Sequence, residues 1–453
     1  MLQRTLAAST PLLLAGAFTA CAADGPSHRG ALIADSAGVR VVVNPAPQAS
    51  ALPVWRLVDR PAVEIGALDG PPEYQLYQVM SGTVLDDGTI VVANGGSLEI
   101  RAYDAAGRHL WSAGRGGDGP GEFRSLTALW EFGGDSILAW DFQAGRASVF
   151  SAAGAFVRSF MPGSGSRALP FMEGVLRDGT IIVRYLAPRR DDRPGAIRRQ
   201  LELRLERGDG SPSMSLGEYP GSEVLVLELP GGRPAVTDVV FGREFHLAAA
   251  GDRFALATSD AYSVRIHDTA GELLHLVRLD REPRPIRDED FQAYFDRGLK
   301  SEIPVIRELT QAQFRQSPRH ATFPAFASIR LDRVGRLWVE EYRPPGVETV
   351  EWLVFDADGV LAARVEMPRR FWIAEIGADY VLGVQRDELG VETVRLYRLV
   401  TDGPYAVDAR RPVQLLQDGG DRGRSRRAVR PVSSMAYALP VTPPITGSTT
   451  PVM

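Results

Sequence analysis

The sequence predicts an all-β chain: a six-bladed β-propeller closed by an N-terminal strand, with a short helical insert between blades four and five. Three observations carry this expectation. A turn-strand-turn unit recurs, and its turn glycines Gly107 and Gly154 lie 47 residues apart, the length of one four-stranded blade. The 46 Gly and 32 Pro are spread along all 453 residues, which favours many short turns over long helices. Residues 288–316 alone carry a sustained helical period.

The chain begins with a segment that reads as an address. Arg4 supplies a positive charge, residues 6–18 are mostly apolar, and Phe18-Thr19-Ala20-Cys21 follow. Residues 1–20 therefore read as a secretory signal, too short to span a bilayer. The four residues ending in Cys21 resemble a bacterial lipoprotein box. The resemblance implies lipidation of Cys21, an outer-membrane lipoprotein facing the periplasm or the cell surface, and membrane contact through the lipid alone. Cys21 is the only cysteine, which excludes an intrachain disulfide and a cysteine-based metal cluster. Residues 21–50, rich in Ala, Pro, Ser and Gly, read as a tether.

The propeller is expected over residues 51–404. Asp87-Gly88-Thr89-Ile90-Val91-Val92 opens the first unit, and Asp135-Ser136-Ile137-Leu138 opens the second. Asp178-Gly179-Thr180-Ile181 opens a third, whose strands are expected to end near Gly210. Further units open at Gly251-Asp252, at Gly335-Arg336 and at Tyr380-Val381. The sixth lacks a clear fourth strand. Trp55-Arg56-Leu57-Val58 or Val63-Glu64-Ile65-Gly66 can supply it, and such a closure removes exposed sheet edges. In the insert, Phe291, Tyr294, Phe295 and Leu299, then Val305, Ile306 and Leu309, mark two amphipathic helices separated by Pro304. They either cover one face as a lid or pad the rim. Residues 405–453, with seven Arg against two Asp between 410 and 430, read as a disordered tail.

The corner Gly114-Arg115-Gly116-Gly117-Asp118-Gly119-Pro120-Gly121-Glu122-Phe123 resembles the inter-blade crossing of NHL-type propellers. The likeness is closest to the six-bladed propeller lipoproteins of environmental bacteria, and blades one and two carry it best. The glycines let the chain cross from an outer strand to the axis through turns of positive φ.

A net charge of -5 argues against a nucleic-acid partner. No Gly-x-Ser-x-Gly elbow and no His-Glu-x-x-His occur, and the six histidines fall at no metal spacing. The primary expectation is a monomeric, non-catalytic binding scaffold without cofactor. It would capture a peptide, glycan or partner protein at the propeller funnel. Large polar-tipped residues near the starts of inner strands would line that funnel: Tyr74, Tyr77, Arg124, Phe171, Arg243, His246, Phe323 and Trp372. The alternative is a calcium-dependent lactone or ester hydrolase of the gluconolactonase/paraoxonase type, in which Glu, Asn and Asp oxygens hold the ion. Its candidates here are Asn94, Glu131, Asp141, Glu173 and Glu375.

Overall fold

The repeated Asp-Gly turns of the sequence each close a hairpin by the same local chemistry. Asp104 Oδ1 accepts the backbone N–H groups of Ala106 and Arg108, while Gly107 turns at φ +77°. Asp268, Asp332, Asp356 and Asp387 accept two backbone N–H groups in the same way. A short carboxylate takes the donors that the tight turn leaves without a ladder partner. These turns cut the chain into strands of three to sixteen residues.

The computed structural model describes residues 30–401, apart from 37, 48–51, 164–168, 187–192, 210, 230 and 348. Cys21, the signal segment and the 405–453 tail lie outside the described residues. The chain is nearly all β, with two α-helices.

The strands form antiparallel meanders in chain order. The first runs Val79–Val84, Ile90–Asn94, Glu99–Tyr103 and His109–Ala113. The second runs Leu126–Phe132, Ser136–Asp141, Arg146–Ser151 and Phe156–Phe160. The third opens with Leu169–Val175 and Thr180–Leu186, then continues past the expected end at Gly210. Its long hairpin Gly195–Arg207/Met214–Leu229 and a fifth strand, Arg233–Asp238, carry it to Asp238. Met214–Leu229 pairs antiparallel with Gly195–Arg207 over most of its length, so the turn near Gly210 is internal to the sheet. The fourth runs Phe245–Ala250, Arg253–Thr258, Ser263–Asp268 and Leu273–Asp280. The fifth runs Ser328–Leu331, Leu337–Glu340, Val350–Phe355 and Leu361–Met367. A last group, Phe371–Ile376, Tyr380–Arg386 and Glu392–Val400, takes Val63–Ile65 antiparallel on its outer edge. Val54–Leu57 lies parallel to Leu361–Met367 and also meets the end of Glu392–Val400.

Part of the stretch read as a tether is strand. Val39–Pro45 adds in parallel to Leu273–Asp280, and Leu32–Ser36 pairs outside it. The β-branched run at Val41, Val42 and Val43 suits a sheet, and Val42 is fully buried. Asn44, also buried, donates to the carbonyls of Gly359 (2.9 Å) and Arg278 (3.2 Å) and accepts from Leu361 N–H (2.8 Å). This one side chain clasps the hairpin to the fourth and fifth meanders.

Apolar layers lie between successive meanders. Ile100, Phe123, Leu129 and Phe150 join the first to the second, and Leu138, Trp140, Ile181 and Tyr185 the second to the third. Leu203, Phe254 and Leu256 join the third to the fourth, and Val264, Val277, Ile329 and Phe355 the fourth to the fifth. Trp338, Val354, Ile373 and Val381 join the fifth to the last group. Ile90, Tyr103, Leu382 and Leu396 then join that group back to the first meander. The packing therefore runs in a ring, with the first strand of each meander innermost, and the fold is a β-propeller.

The helices Asp288–Leu299 and Pro304–Gln316 fall between the fourth and fifth meanders, where the sequence placed them. Ala312 and Leu309 pack on Leu225, Leu227 and Val239, while Phe291 and Phe295 meet Phe241 and Phe323.

Candidate ligand channel

The innermost strands surround an axis whose two ends differ. At the end formed by the first hairpin turns, Arg333 follows Ser328–Leu331 in a turn held by buried Asp332. Its guanidinium donates to Glu131 Oε2 (3.0 Å) of the second meander and Glu375 Oε2 (3.1 Å) of the last group. It also donates to the Val84 carbonyl and to Thr83 Oγ1 (3.3 Å) of the first meander. A side chain of the fifth meander that reaches the first, second and last groups must cross the axis. Thr83 Oγ1 (2.5 Å) and the Tyr380 hydroxyl (2.6 Å) donate to the remaining demand of Glu375. Burial opposes the charge of Arg333, but Glu375, Tyr380 and Glu131 outweigh it and hold the guanidinium firmly protonated. Burial pushes the Glu131 carboxyl up, against the pull of Arg333. The network closes this end.

The opposite end is built from loops clasped by side chains at the ends of second strands. Asn94 Oδ1 accepts from Tyr77 N–H (2.8 Å). Asp141 accepts from the N–H groups of Arg124 (2.7 Å), Ser125 (3.1 Å) and Ala144 (3.0 Å). Ser259 Oγ accepts from Glu244 N–H (2.9 Å). Most of the large residues anticipated at the funnel serve this scaffold. Tyr74 packs on Tyr103, and its hydroxyl accepts from His109 N–H (2.9 Å). The Arg124 side chain pairs with Asp118 in the corner loop. Phe171 lies against Phe142, with the Arg184 guanidinium 4.6 Å from its ring centre. Arg243 binds the Thr322 carbonyl and hydroxyl (both 3.0 Å). Phe323 is buried on Phe241, and Trp372 packs between the last group and the first meander. Tyr77 is 65% exposed and presents its ring to solvent.

Between the two ends, His246 and Arg330 stand on neighbouring innermost strands. The His246 ring lies 5.3 Å from Phe326, and its Nε2 is buried without a hydrogen-bond partner. Burial, and then the nearby Arg330, push its pKa down to about 4, so it is neutral at pH 7. Arg330 makes one hydrogen bond, from Nη1 to the adjacent Ile329 carbonyl (3.0 Å), and forms no ion pair among the described residues. Glu340 lies nearby, but its oxygens are taken by Ser328 Oγ (2.8 Å) and Arg343 (3.4 Å). Toward the open end, Glu244 is pushed up to about 7, first by its protein surroundings and then by Asp238 and Glu340.

Asn94 and Asp141 hold loops, Glu173 pairs with Arg184, and Glu131 and Glu375 meet on Arg333. The anticipated calcium oxygens thus do not converge on one ion. Among the described residues no three His, Cys, Asp or Glu side chains are grouped to hold a metal. Arg333, Arg330 and Glu244 were not singled out from the sequence. The available signal was an arginine in a first-hairpin turn, present at both Arg177 and Arg333.

No family model matches the chain, and no curated protein matches it. Among solved structures, a member of the DUF4221 family from Bacteroides vulgatus is similar at 13% identity, covering 76% of this chain and 98% of that one, with a TM-score of 0.46. A Bacteroides fragilis protein named as exported has 12% identity, 77% and 99% coverage, and a TM-score of 0.43. Virginiamycin B lyase from Staphylococcus aureus has 10% identity, 74% and 98% coverage, and a TM-score of 0.35. No helix among the described residues is long and apolar enough to cross a membrane.

Proposed function

We propose that this chain is an exported, monomeric binding scaffold of the bacterial cell envelope, anchored through Cys21. It captures a peptide, glycan or partner protein at the open end of the channel, without catalysis. In this reading the propeller has six blades of NHL type, and Val63–Ile65 supplies the outer strand of the last. The observation that carries it is the Arg333 network, which spans one end of the axis, while loops held by Asn94, Asp141 and Ser259 form the other. An axis tied at one end and ringed by loops at the other suits capture at the loops.

The test probes peptide and oligosaccharide arrays with the full chain and with the Arg124→Ala/Arg243→Ala double variant, each with and without chelator. Binding that resists chelation and weakens in the double variant supports the scaffold. Chelator-sensitive hydrolysis of a lactone or aryl-ester panel sinks it and installs the calcium enzyme instead.

A further inference from the structure

We propose that the channel receives an organic carboxylate, with Arg330 as the group that binds it and His246 beside it as a neutral polar contact. The inference rests on the capture reading above and names the chemistry of what is captured. A half-buried guanidinium on an inner strand ordinarily bonds a carboxylate directly, and Arg330, although Glu340 lies near it, does not. Arg330 spends one N–H on its own neighbour's carbonyl and has no carboxylate partner among the described residues. The carboxylate nearest in charge, Glu340, is already satisfied by Ser328 and Arg343.

His246 is the second orphan. Its Nε2 is buried with no partner, and Phe326 fixes the ring from one side. Arg330, whose guanidinium bonds no carboxylate, and His246, whose buried Nε2 has no partner, stand on adjacent innermost strands and mark a place where a ligand completes the bonding. The planar fork of a guanidinium matches a carboxylate through two parallel N–H···O bonds. A single cation with Glu340 close by fits a monoanion better than a doubly charged phosphate. The Arg333 network blocks the far end, so the ligand enters past Glu244 and presents its acid group first. A peptide C-terminus or a sugar acid meets that description.

The experiment uses the full chain and follows thermal unfolding and calorimetric binding. The probes are trialanine with a free carboxylate, the same peptide as its C-terminal amide, glucuronate and inorganic phosphate. The free acid or glucuronate is expected to raise the melting temperature progressively with concentration, while the amide does not. At 100 times the Kd, the folded-to-unfolded ratio rises about 100-fold. Arg330→Met is expected to lose binding at least about tenfold, with each variant's ligand response read against its own unliganded melting temperature. If Arg330→Met fails to accumulate, Arg330→Gln carries the same comparison. Equal binding of acid and amide, preference for phosphate, or undiminished binding in the Arg330 variants overturns the proposal. So does indifference to every carboxylate. Array capture that persists in that last case leaves the scaffold standing without the acid site, whereas blank arrays with carboxylate binding remove the scaffold and keep the site.

Discussion

Replacing Arg333 by Met tests whether the closed end of the channel is held by charge. The guanidinium lies 3.0 Å from Glu131 and 3.1 Å from Glu375, and all three side chains are no more than 22% exposed. Each pair is worth about 5 kcal/mol of gross attraction at an effective dielectric near 20, most of which offsets desolvation. Removing the cation alone leaves two enclosed carboxylates uncompensated, and the expected cost is about 3–5 kcal/mol near pH 7.5. The pH dependence has a definite sign. Without Arg333 the folded-state pKa of Glu131, already raised by burial, rises further above its unfolded value. The penalty is therefore full above the folded pKa and disappears as pH falls toward the unfolded one. Between pH 7.5 and 5.5 the deficit should shrink by up to about 1.4 kcal/mol per pH unit for each carboxylate that titrates. Urea unfolding followed by tryptophan fluorescence reads this directly, because Trp55 and Trp338 are buried in the adjoining layer. The triple variant with Glu131→Gln and Glu375→Gln should recover more than half of the loss. A deficit below about 1 kcal/mol, or one independent of pH, would refute a charge-held plug.

Three further outcomes follow from individual polar groups. His246 and His275 are both held near a pKa of about 4, mainly by burial, so the unfolded chain binds protons more readily between pH 6.5 and 4. Stability should fall as pH drops through that window, and His275→Gln should reduce the slope by up to about 1.4 kcal/mol per pH unit, read from unfolding midpoints. Glu244 is raised to about 7, so its charge opposes folding above that pH. Glu244→Gln should raise the melting temperature at pH 8 and leave it unchanged at pH 5. Asn44→Ala removes three hydrogen bonds, two of them to buried partners, and should cost about 2–3 kcal/mol. Limited proteolysis should then release residues 30–47 before the rest of the chain is cut, and simultaneous loss of the whole fold would contradict a local clasp.

What the sequence revealed was local. The Asp-Gly turns at Asp104-Gly107 and Asp178-Gly179 are each set by a carboxylate and a glycine a few residues apart, so reading along the chain finds them. The insert was legible for the same reason, since Phe291, Tyr294 and Phe295 share one helix face. The hairpin at Leu32–Ser36 and Val39–Pro45 was obscured by the Ala, Pro and Ser around it. Its stability depends on Asn44 reaching Gly359, more than 300 residues away. The site failed to appear on similar grounds. Glu131 and Glu375 were noticed as channel carboxylates, but their partner is an arginine in a turn of the fifth meander, next to Glu375 and across the ring from Glu131. Nothing within a few residues of Arg333 announces that its side chain crosses the axis.

The two ends of the channel also differ in what they allow to vary. At the closed end, Arg333 ties together residues of four strand groups, so a change in any one leaves a buried charge behind. At the open end, Asn94, Asp141 and Ser259 bind only the backbone of the loops that follow, and any side chain in those loops satisfies them equally. Loop side chains such as Tyr77 can therefore change without disturbing the strands beneath. Arg330 and His246 belong to neither regime. They stand on strands, where packing fixes their positions, yet Arg330 bonds no carboxylate and His246 Nε2 has no partner. A fold that satisfies Asp332 with four donors and Asn44 with three partners, while leaving Arg330 without a bonded carboxylate and His246 Nε2 without a partner, places its unmet bonding where a ligand arriving from the open end would stop.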